Sequence, residues 1–323
     1  MEPVARALKS RFPGVHIDLV TEVQPAPLMD MADSFDRVVS YDRRGEDAGW
    51  TGISQVMNRL GPEPYDLVLD LQGKLRTRVL SRRLKAQKRL RYKKRNLWGG
   101  LLSLFGLERP LTGVHAIDLY LKPLLTLGIE ATSEARPQLA LPMPKQGEGL
   151  HIGLSAGTTH RTKEWPAAHF AALAQGLEKQ NAQVNFTLFG GPKDREILAN
   201  IRKGYSGVNL NTLDTTTMSV AEMSKVIQSL DLFVGVDSGP THIAASFGIP
   251  VVALFGPTSS SRWGPRGKPH EVVSLNLDCA PCSNVGGPTC PDEKRQHQCM
   301  KDLKPEQVQS ACLRVLQAGE VAA

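Results

Sequence analysis

Two polar turns follow apolar runs in the second half of the chain. Leu232-Phe233-Val234-Gly235-Val236 leads into Asp237-Ser238-Gly239-Pro240-Thr241-His242, and a helix-like stretch runs from Ile243 to Phe247. The run from His151 to Ser155 leads into Ala156-Gly157-Thr158-Thr159, with Lys163 and Trp165-Pro166 just beyond. Strand, glycine-containing polar turn and helix start form the arrangement in which backbone N–H groups receive a phosphate. Two such turns in one domain suggest a diphosphate held from both sides. Asp237 and Ser238 have a plainer use as helix caps, and Lys163 as a solvated lysine at a helix start. Spacing alone leaves both uses open.

A second constellation is electrostatic. From Leu71 to Leu107 the chain carries twelve lysines and arginines, beginning with Lys74, Arg76 and Arg78, and no acid. A charge run is ordinarily a solvated helix face, but this excess is more than solvation needs and points to an anionic partner. Trp98, Leu101, Leu102 and Phe105, which follow it, suit either a membrane interface or a core. A nucleic-acid partner is the rival reading, and no nucleic-acid motif accompanies the charge. The third constellation is Cys279-Ala280-Pro281-Cys282 with Cys290, His297 and Cys299. Four thiols can hold zinc, but the longer gaps do not repeat the two-residue knuckle, and no metal ligand is assigned. Cys312 falls at an apolar helical position and is expected in the core.

These residues need a scaffold. At 323 residues the chain suits about two domains. Its 41% apolar and 22% charged residues exclude disordered, collagenous and disulfide-scaffold classes. No apolar run reaches the ~20 residues of a membrane span. The start Met1-Glu2-Pro3 lacks the pattern of a signal peptide, and five cysteines is an odd count; a reduced, cytoplasmic setting is expected. Short Val-, Ile-, Leu- and Phe-rich runs alternate with helical patterns, the signature of βα units around parallel sheets. Strands are expected at His16 to Val20, Arg37 to Ser40, Asp66 to Asp70 and Arg89 to Tyr92, then at His151 to Ser155, Val184 to Phe189, Leu232 to Val236, Val251 to Phe255 and Glu271 to Leu275. Ala135 to Gly149, rich in proline and glycine, suits a linker. It divides residues 1–142 from 150–323, two doubly wound α/β domains whose facing carboxyl ends would share a ligand cleft.

The opening of the chain departs from that scheme. Pro3, Val4, Ala7 and Leu8 suit a helix with proline in its first turn, and Phe12-Pro13-Gly14 ends it. A doubly wound domain opens with a strand that leads into that helix. The expectation is a reading frame longer by about 10 to 20 residues, one strand and one turn.

Val236-Asp237-Ser238-Gly239-Pro240-Thr241-His242-Ile243-Ala244-Ala245 and Pro250-Val251-Val252-Ala253-Leu254-Phe255-Gly256-Pro257-Thr258 resemble the signature of the glycosyltransferase family that contains the ADP-heptose:lipopolysaccharide heptosyltransferases. Tyr65-Asp66-Leu67-Val68-Leu69-Asp70-Leu71-Gln72-Gly73 and His115-Ala116-Ile117-Asp118 are similar to segments of that family's acceptor domain. Thr158 to Pro166 and Met218-Ser219 are similar to its donor-domain motifs. The resemblance implies the GT-B fold, two facing Rossmann-like domains. The first, residues 1–142, would bind the acceptor and the second, 150–323, the nucleotide-sugar donor.

The implied activity is an inverting, metal-independent transfer of heptose from an ADP-sugar to an anionic lipopolysaccharide-core acceptor at the inner leaflet of the membrane, with no cofactor. Thr158, Thr159, Ser238 and Gly239 would meet the diphosphate and Lys163 its charge. Met218 would lie against the base, and Asp237 and His242 would contact the sugar or brace the loop. Lys74, Arg76 and Arg78 would face the acceptor. The general base that such a transfer needs is, in that family, an aspartate in a Gly-Asp loop after the first strand. No segment here matches it, Glu2 has no motif match, and the catalytic residue is unassigned. Two other classes stay open: a donor-binding homologue without turnover, and a basic nucleic-acid binder.

Overall fold

The computed structural model describes residues 1–92, 113–132, 134–139, 147–207, 209–211, 215–267 and 269–320. Trp98, Leu101, Leu102 and Phe105 of the basic tract lie outside the described residues, as do its last three cations, Lys93, Lys94 and Arg95. The chain divides into two units, the described residues of Met1–Glu108 with Ala116–Ala140, and those of Arg109–His115 with Leu141–Ala323.

The first unit contains α1 (Glu2–Arg11), β1 (Asp18–Glu22), α2 (Ala26–Asp30), β2 (Arg37–Tyr41), α3 (Thr51–Leu60), β3 (Tyr65–Asp70), α4 (Leu75–Arg83), β4 (Ala86–Arg91) and α5 (Ala116–Leu121). Its strands form two parallel pairs, β1 with β2 and β3 with β4. Val4 and Leu8 of α1 pack with Leu121, Leu124 and Ile129, and against Leu69 and Leu71 at the end of β3. β1 begins two residues later than expected, because the N–H of Ile17 is given to the Asp36 carboxylate at 2.7 Å instead of to a neighbouring strand. β4 begins three residues earlier, because its register is set by its partner, Tyr65 opposite Ala86 through Asp70 opposite Arg91.

The second unit contains β5 (Leu150–Ser155), α6 (Ala167–Gln180), β6 (Val184–Phe189), α7 (Arg195–Gly204), β7 (Leu210–Asn211), α8 (Val220–Gln228), β8 (Leu232–Val236), α9 (Gly239–Ser246), β9 (Val251–Leu254), α10 (Ser260–Trp263), β10 (His270–Val273), α11 (Gln298–Lys301) and α12 (Pro305–Glu320). The strands form one parallel sheet in the order β10-β9-β8-β5-β6-β7. β8 and β9 are buried along their whole length, which suits strands covered on both faces. On one face Phe170, Leu173 and Leu177 of α6 join Ile201 of α7 and Val308, Cys312 and Val315 of α12 in a single core, the 3.6-residue stripe of an amphipathic helix in each case. The other face carries Phe189 and Phe233, their rings 5.4 Å apart. The chain passes outward from β5 to β6 and β7, then returns across β5 to β8. The strand order therefore reverses between β5 and β8, and in such sheets ligands bind outside the carboxyl ends at that reversal. The two-residue edge strand β7 was not anticipated, since so short a segment has no periodicity of its own.

Trp165 belongs to this core and not to the turn it follows. Fully buried, it sets its ring edge-on to Phe170 and donates its Nε1–H to the Leu303 carbonyl at 2.8 Å. Trp165→Phe should destabilise the fold by about 1–3 kcal/mol, because the buried carbonyl loses its donor. Trp165→Ala should cost about 3–5 kcal/mol. Urea unfolding followed by circular dichroism would measure both.

Candidate functional site

The reversal of strand order sets the turn after β5 beside the turn after β8, since Ser155 lies opposite Gly235 in the parallel ladder. Asp237, one residue beyond β8, is 7% exposed. Its Oδ2 accepts from Thr258 Oγ1 at 2.8 Å and lies 3.5 Å from Lys163 Nζ; its Oδ1 lies 3.3 Å from His242 Nε2. Burial opposes ionisation of this carboxyl. The hydrogen bond from His242, the charge of Lys163 and the Thr258 hydroxyl outweigh it and hold the group below the ordinary aspartate range. One carboxylate thus joins four segments: the loop before α6, the end of β8, the first turn of α9 and the loop after β9.

Ser238 does not cap α9 through its side chain. Its hydroxyl lies 3.4 Å from that of Thr241, which itself donates to the Val236 carbonyl at 2.7 Å. The plain capping use is thereby excluded for Ser238, and the first N–H groups of α9 keep their donor capacity. Beside Gly239 a Cβ would meet nothing within 4 Å, so this end of the helix is open to a ligand. On the other side of the reversal Gly157 packs tightly: a Cβ there would stand 2.4 Å from Asp194 Oδ2. Thr158 beyond it is half-buried and Thr159 exposed. Thr215 donates to the Gly190 carbonyl at 2.9 Å and accepts its N–H at 3.0 Å, fastening the segment before Met218 to the end of β6. Met218 itself is half-buried. All eight donor-side residues expected from the sequence therefore stand on turns at, or segments fastened to, the carboxyl ends of β5, β6 and β8.

Sequence reasoning missed what lies over these turns. The loop of residues 282–287 is tied down at three points. The N–H groups of Cys282 and Ser283 donate to Pro257 O at 3.0 and 2.9 Å. Thr162 Oγ1 exchanges bonds with Gly287 at 2.9 and 3.0 Å. Trp263 Nε1 donates to Asn284 O at 2.9 Å. Gly286 has φ +95°, and a Cβ there would lie 2.9 Å from His160 Cβ and 3.2 Å from Lys163 Cγ, so glycine is required on both counts. The Gly286-Gly287-Pro288 run was the available signal. Arg262, in α10 just after the Thr258 loop, was also missed. It is 9% exposed, its guanidinium lies 5.0 Å from the centre of the Trp263 ring, and among the described residues its Nε has no hydrogen-bond partner.

The cysteine constellation stands at this loop as half-buried free thiols, Cys279, Cys282, Cys290 and Cys299. Burial, and after it the nearness of Cys282, Cys279 and Cys290, pushes the Cys299 thiol up to about 11. Among the described residues no group of three His, Cys, Asp or Glu side chains is arranged to hold a metal ion.

In the first unit Lys74, just before α4, and Arg78 within it are exposed, whereas Arg76 is turned inward, hydrogen-bonded to the Tyr41 hydroxyl with its guanidinium 5.5 Å from the ring centre. Not every cation of the tract is available to a partner. Arg89 donates to the carbonyls of Ser81, Ala86 and Leu84 and so secures the end of α4. Glu2 is buried, paired with Arg6 at 3.1 Å, and accepts the Gln138 N–H at 2.9 Å; this is a structural role. Asp70 caps the end of β3, its Oδ1 accepting from the N–H groups of Gln72 and Gly73 at 3.1 and 2.9 Å.

Comparison with known proteins gives the family and the fold. Residues 53–289 match the family described as glycosyltransferase family 9 (heptosyltransferase). The chain is 27% identical to lipopolysaccharide heptosyltransferase 1 of Pseudomonas aeruginosa over 345 residues, covering 96% of this chain and 92% of that one. It is 34% identical to lipooligosaccharide heptosyltransferase 2 of Campylobacter jejuni over 165 residues; that match takes in 50% of this chain, which here spans about half the relative's length, 48%. The fold matches that of Escherichia coli ADP-heptose lipopolysaccharide heptosyltransferase II with a TM-score of 0.73 at 20% identity, over 99% of this chain and 95% of that one. The GT-B fold class expected from the sequence is thereby borne out.

The Asp237 knot has a pH signature. A carboxyl lowered on folding from 3.8 contributes stability that is fully present above that pH and is lost as the pH falls through the folded value. Asp237→Asn should cost about 3 kcal/mol at neutral pH, because Lys163 keeps its charge without the anion. The difference from the wild type should shrink below pH 3.8, as denaturant titrations at successive pH values would show.

Proposed function

The chain belongs to glycosyltransferase family 9 (heptosyltransferase), and from that membership we propose that it moves a heptose from ADP-heptose onto an anionic lipopolysaccharide-core acceptor. The observation that carries this reading is the set of turns at the β5/β8 reversal, where a half-buried lysine, a bracing aspartate and an open helix start converge. Displacement at the anomeric carbon develops positive charge on the sugar and negative charge on the departing diphosphate. Preorganised donors lower that barrier because they need no reorganisation as charge builds. In the proposed complex Thr158, Thr159, Ser238 and the N–H of Gly239 hold the diphosphate and Lys163 meets its growing charge. Asp237 holds the lysine in place while His242, the more exposed of its partners, reaches the sugar. Met218 lies against the adenine. Arg262 adds a buried positive charge to the same loop. The transfer proceeds with inversion, and the charge on the leaving group is met by these side chains and amides without a metal ion.

Lys74 and Arg78, exposed at the start of α4 and on it, are proposed to face the acceptor, with Arg76 bracing the helix on Tyr41. A cationic surface of this kind suits phosphorylated saccharide on the cytoplasmic leaflet of the inner membrane, where each exposed cation near an anionic surface contributes about 1 kcal/mol. A second reading is a donor-binding homologue without turnover, in which the same turns hold the donor while Glu2, buried and paired with Arg6, is not available as a base. Incubation with ADP-heptose and acceptor separates the two, since the first reading requires ADP release and the second only binding.

Calorimetry should show ADP binding and much weaker binding of UDP. Lys163→Ala should weaken ADP by roughly 10- to 100-fold, the worth of a charge-assisted hydrogen bond. Absence of ADP binding, or an unchanged affinity in the variant, would remove the donor assignment. Turnover should persist in EDTA. Reversing Lys74 and Arg78 to Glu should weaken acceptor binding and leave ADP binding unchanged. Added salt should weaken acceptor binding in the wild type as well, because exposed charges are screened over about 8 Å at physiological ionic strength.

A further inference from the structure

One cation of the second unit has no counterpart within the protein. Arg262 is 9% exposed, and among the described residues its guanidinium makes no hydrogen bond and no ion pair, although its Nε is shielded from solvent. Arginine does not shed its charge in a protein, and an isolated buried charge is costly. The nearby carboxylates are engaged elsewhere. Asp237, on the neighbouring turn, is held by Lys163, His242 and Thr258, and Glu271 of β10 by Arg314. The partner that fits is an anion from outside the chain.

The guanidinium is also fixed in place before any such partner arrives. Arg262 sits on α10, a single turn pinned at three points. Trp263 donates its Nε1–H to Asn284 O at 2.9 Å, His115 Nε2 donates to the Gly264 carbonyl at 2.9 Å, and the Gly113 N–H donates to Ser261 Oγ at 3.3 Å. The guanidinium lies over the Trp263 ring, 5.0 Å from its centre, so the platform it rests on is itself tied down. A cation over an aromatic face keeps its N–H donors for other partners. Those of a guanidinium form a planar fork that matches two oxygens of a phosphate.

The strand order says which part of a ligand would reach this fork. Along the carboxyl edge the strands follow as β6, β5, β8 and β9, about 4.8 Å apart. The segment before Met218 is fastened to the end of β6, and the two polar turns follow β5 and β8. A nucleoside diphosphate with its base against Met218 therefore runs its phosphates over β5 and β8. Arg262, after β9, stands one strand further in the same direction, at the sugar-bearing end. A heptose is uncharged and does not balance a guanidinium, whereas the phosphate that carries it does. We propose that Arg262 takes the sugar-bearing phosphate of the donor in its guanidinium fork and thereby sets the preference of the site for a nucleoside diphosphate over a monophosphate; the assignment rests on the reading of this unit as the donor site.

Calorimetry with ADP and with AMP tests it on the full chain. The wild type should bind ADP more tightly than AMP. Arg262→Gln should weaken ADP by at least about tenfold, the loss of charge-assisted hydrogen bonds, and leave AMP unchanged. Arg262→Lys should recover only part of the loss, since it restores the charge without the fork. Arg262→Met should melt no lower than the wild type without ligand, because an apolar chain replaces a buried cation that has no partner, yet it should lose most of the stabilisation that ADP gives the wild type. ADP and AMP weakened alike, or a lower melting temperature for Arg262→Met with the ADP preference intact, would overturn the assignment and make the arginine structural. Unchanged ADP affinity with weaker acceptor binding would overturn it as well, placing the anion on the acceptor. In each of these cases the wild type still binds ADP; its failure to do so would bring down the donor reading instead, and this assignment with it.

Discussion

A carboxylate held at 7% exposure at the end of a central strand has to be answered, and the answer given to Asp237 organises the second unit. An isolated buried charge is costly, and three partners converge on this one from separate segments: Lys163, His242 and Thr258. Each comes from a turn at the carboxyl edge of the sheet. The knot therefore converts a set of loops, which would otherwise be the mobile part of an α/β domain, into a fixed constellation around the β5/β8 reversal. The loop of residues 282–287 packs against it, Gly286 lying so near that a Cβ there would stand 2.9 Å from His160 Cβ and 3.2 Å from Lys163 Cγ.

The sheet beneath makes the knot possible. β8 is buried on both faces and ends abruptly at Asp237, so the change from five apolar residues to a charged one occurs at the boundary between core and turn. Thr241 ties the first turn of α9 back to Val236, which fixes the angle at which the helix leaves the strand. Ser238 is thereby freed from capping, and the helix keeps N–H groups for something outside the protein. The same economy governs Trp165: its indole N–H is used within the core, on Leu303, and holds the chain as it passes from Lys163 into α6.

Both units pair carboxylates that they bury, Glu2 with Arg6 in the first and Asp237 with Lys163 in the second. The first carries a run of cations in which some secure the backbone, as Arg89 does at the end of α4, and others stand out from it, as Lys74 and Arg78 do. Counting cations therefore overstates the surface offered to an anion. Arg37 makes the same point. It pairs with Asp18, which also accepts from Tyr65, so that a cation, an anion and a phenol close the amino ends of β1 and β3.

The sequence by itself determined the parallel α/β class, the two polar turns and the residues on them, because strand runs, glycine turns and helix starts are local patterns with local causes. Val184–Phe189 and Leu232–Val236 were legible to the residue, since both ends of each are marked by polar or turn residues. What depends on a partner was not legible. The beginning of β4 is chosen by β3, the two-residue β7 exists only because β6 offers it an edge, and Arg76 faces Tyr41 for reasons no spacing within α4 records. Only the tertiary structure decided that Asp237 binds Lys163 across 74 positions of sequence, that Gly286 fits against His160, and that Arg262 is buried beside Trp263. The physical reason is the same in each case: burial and pairing are properties of two segments together, and the chain read in order shows one segment at a time.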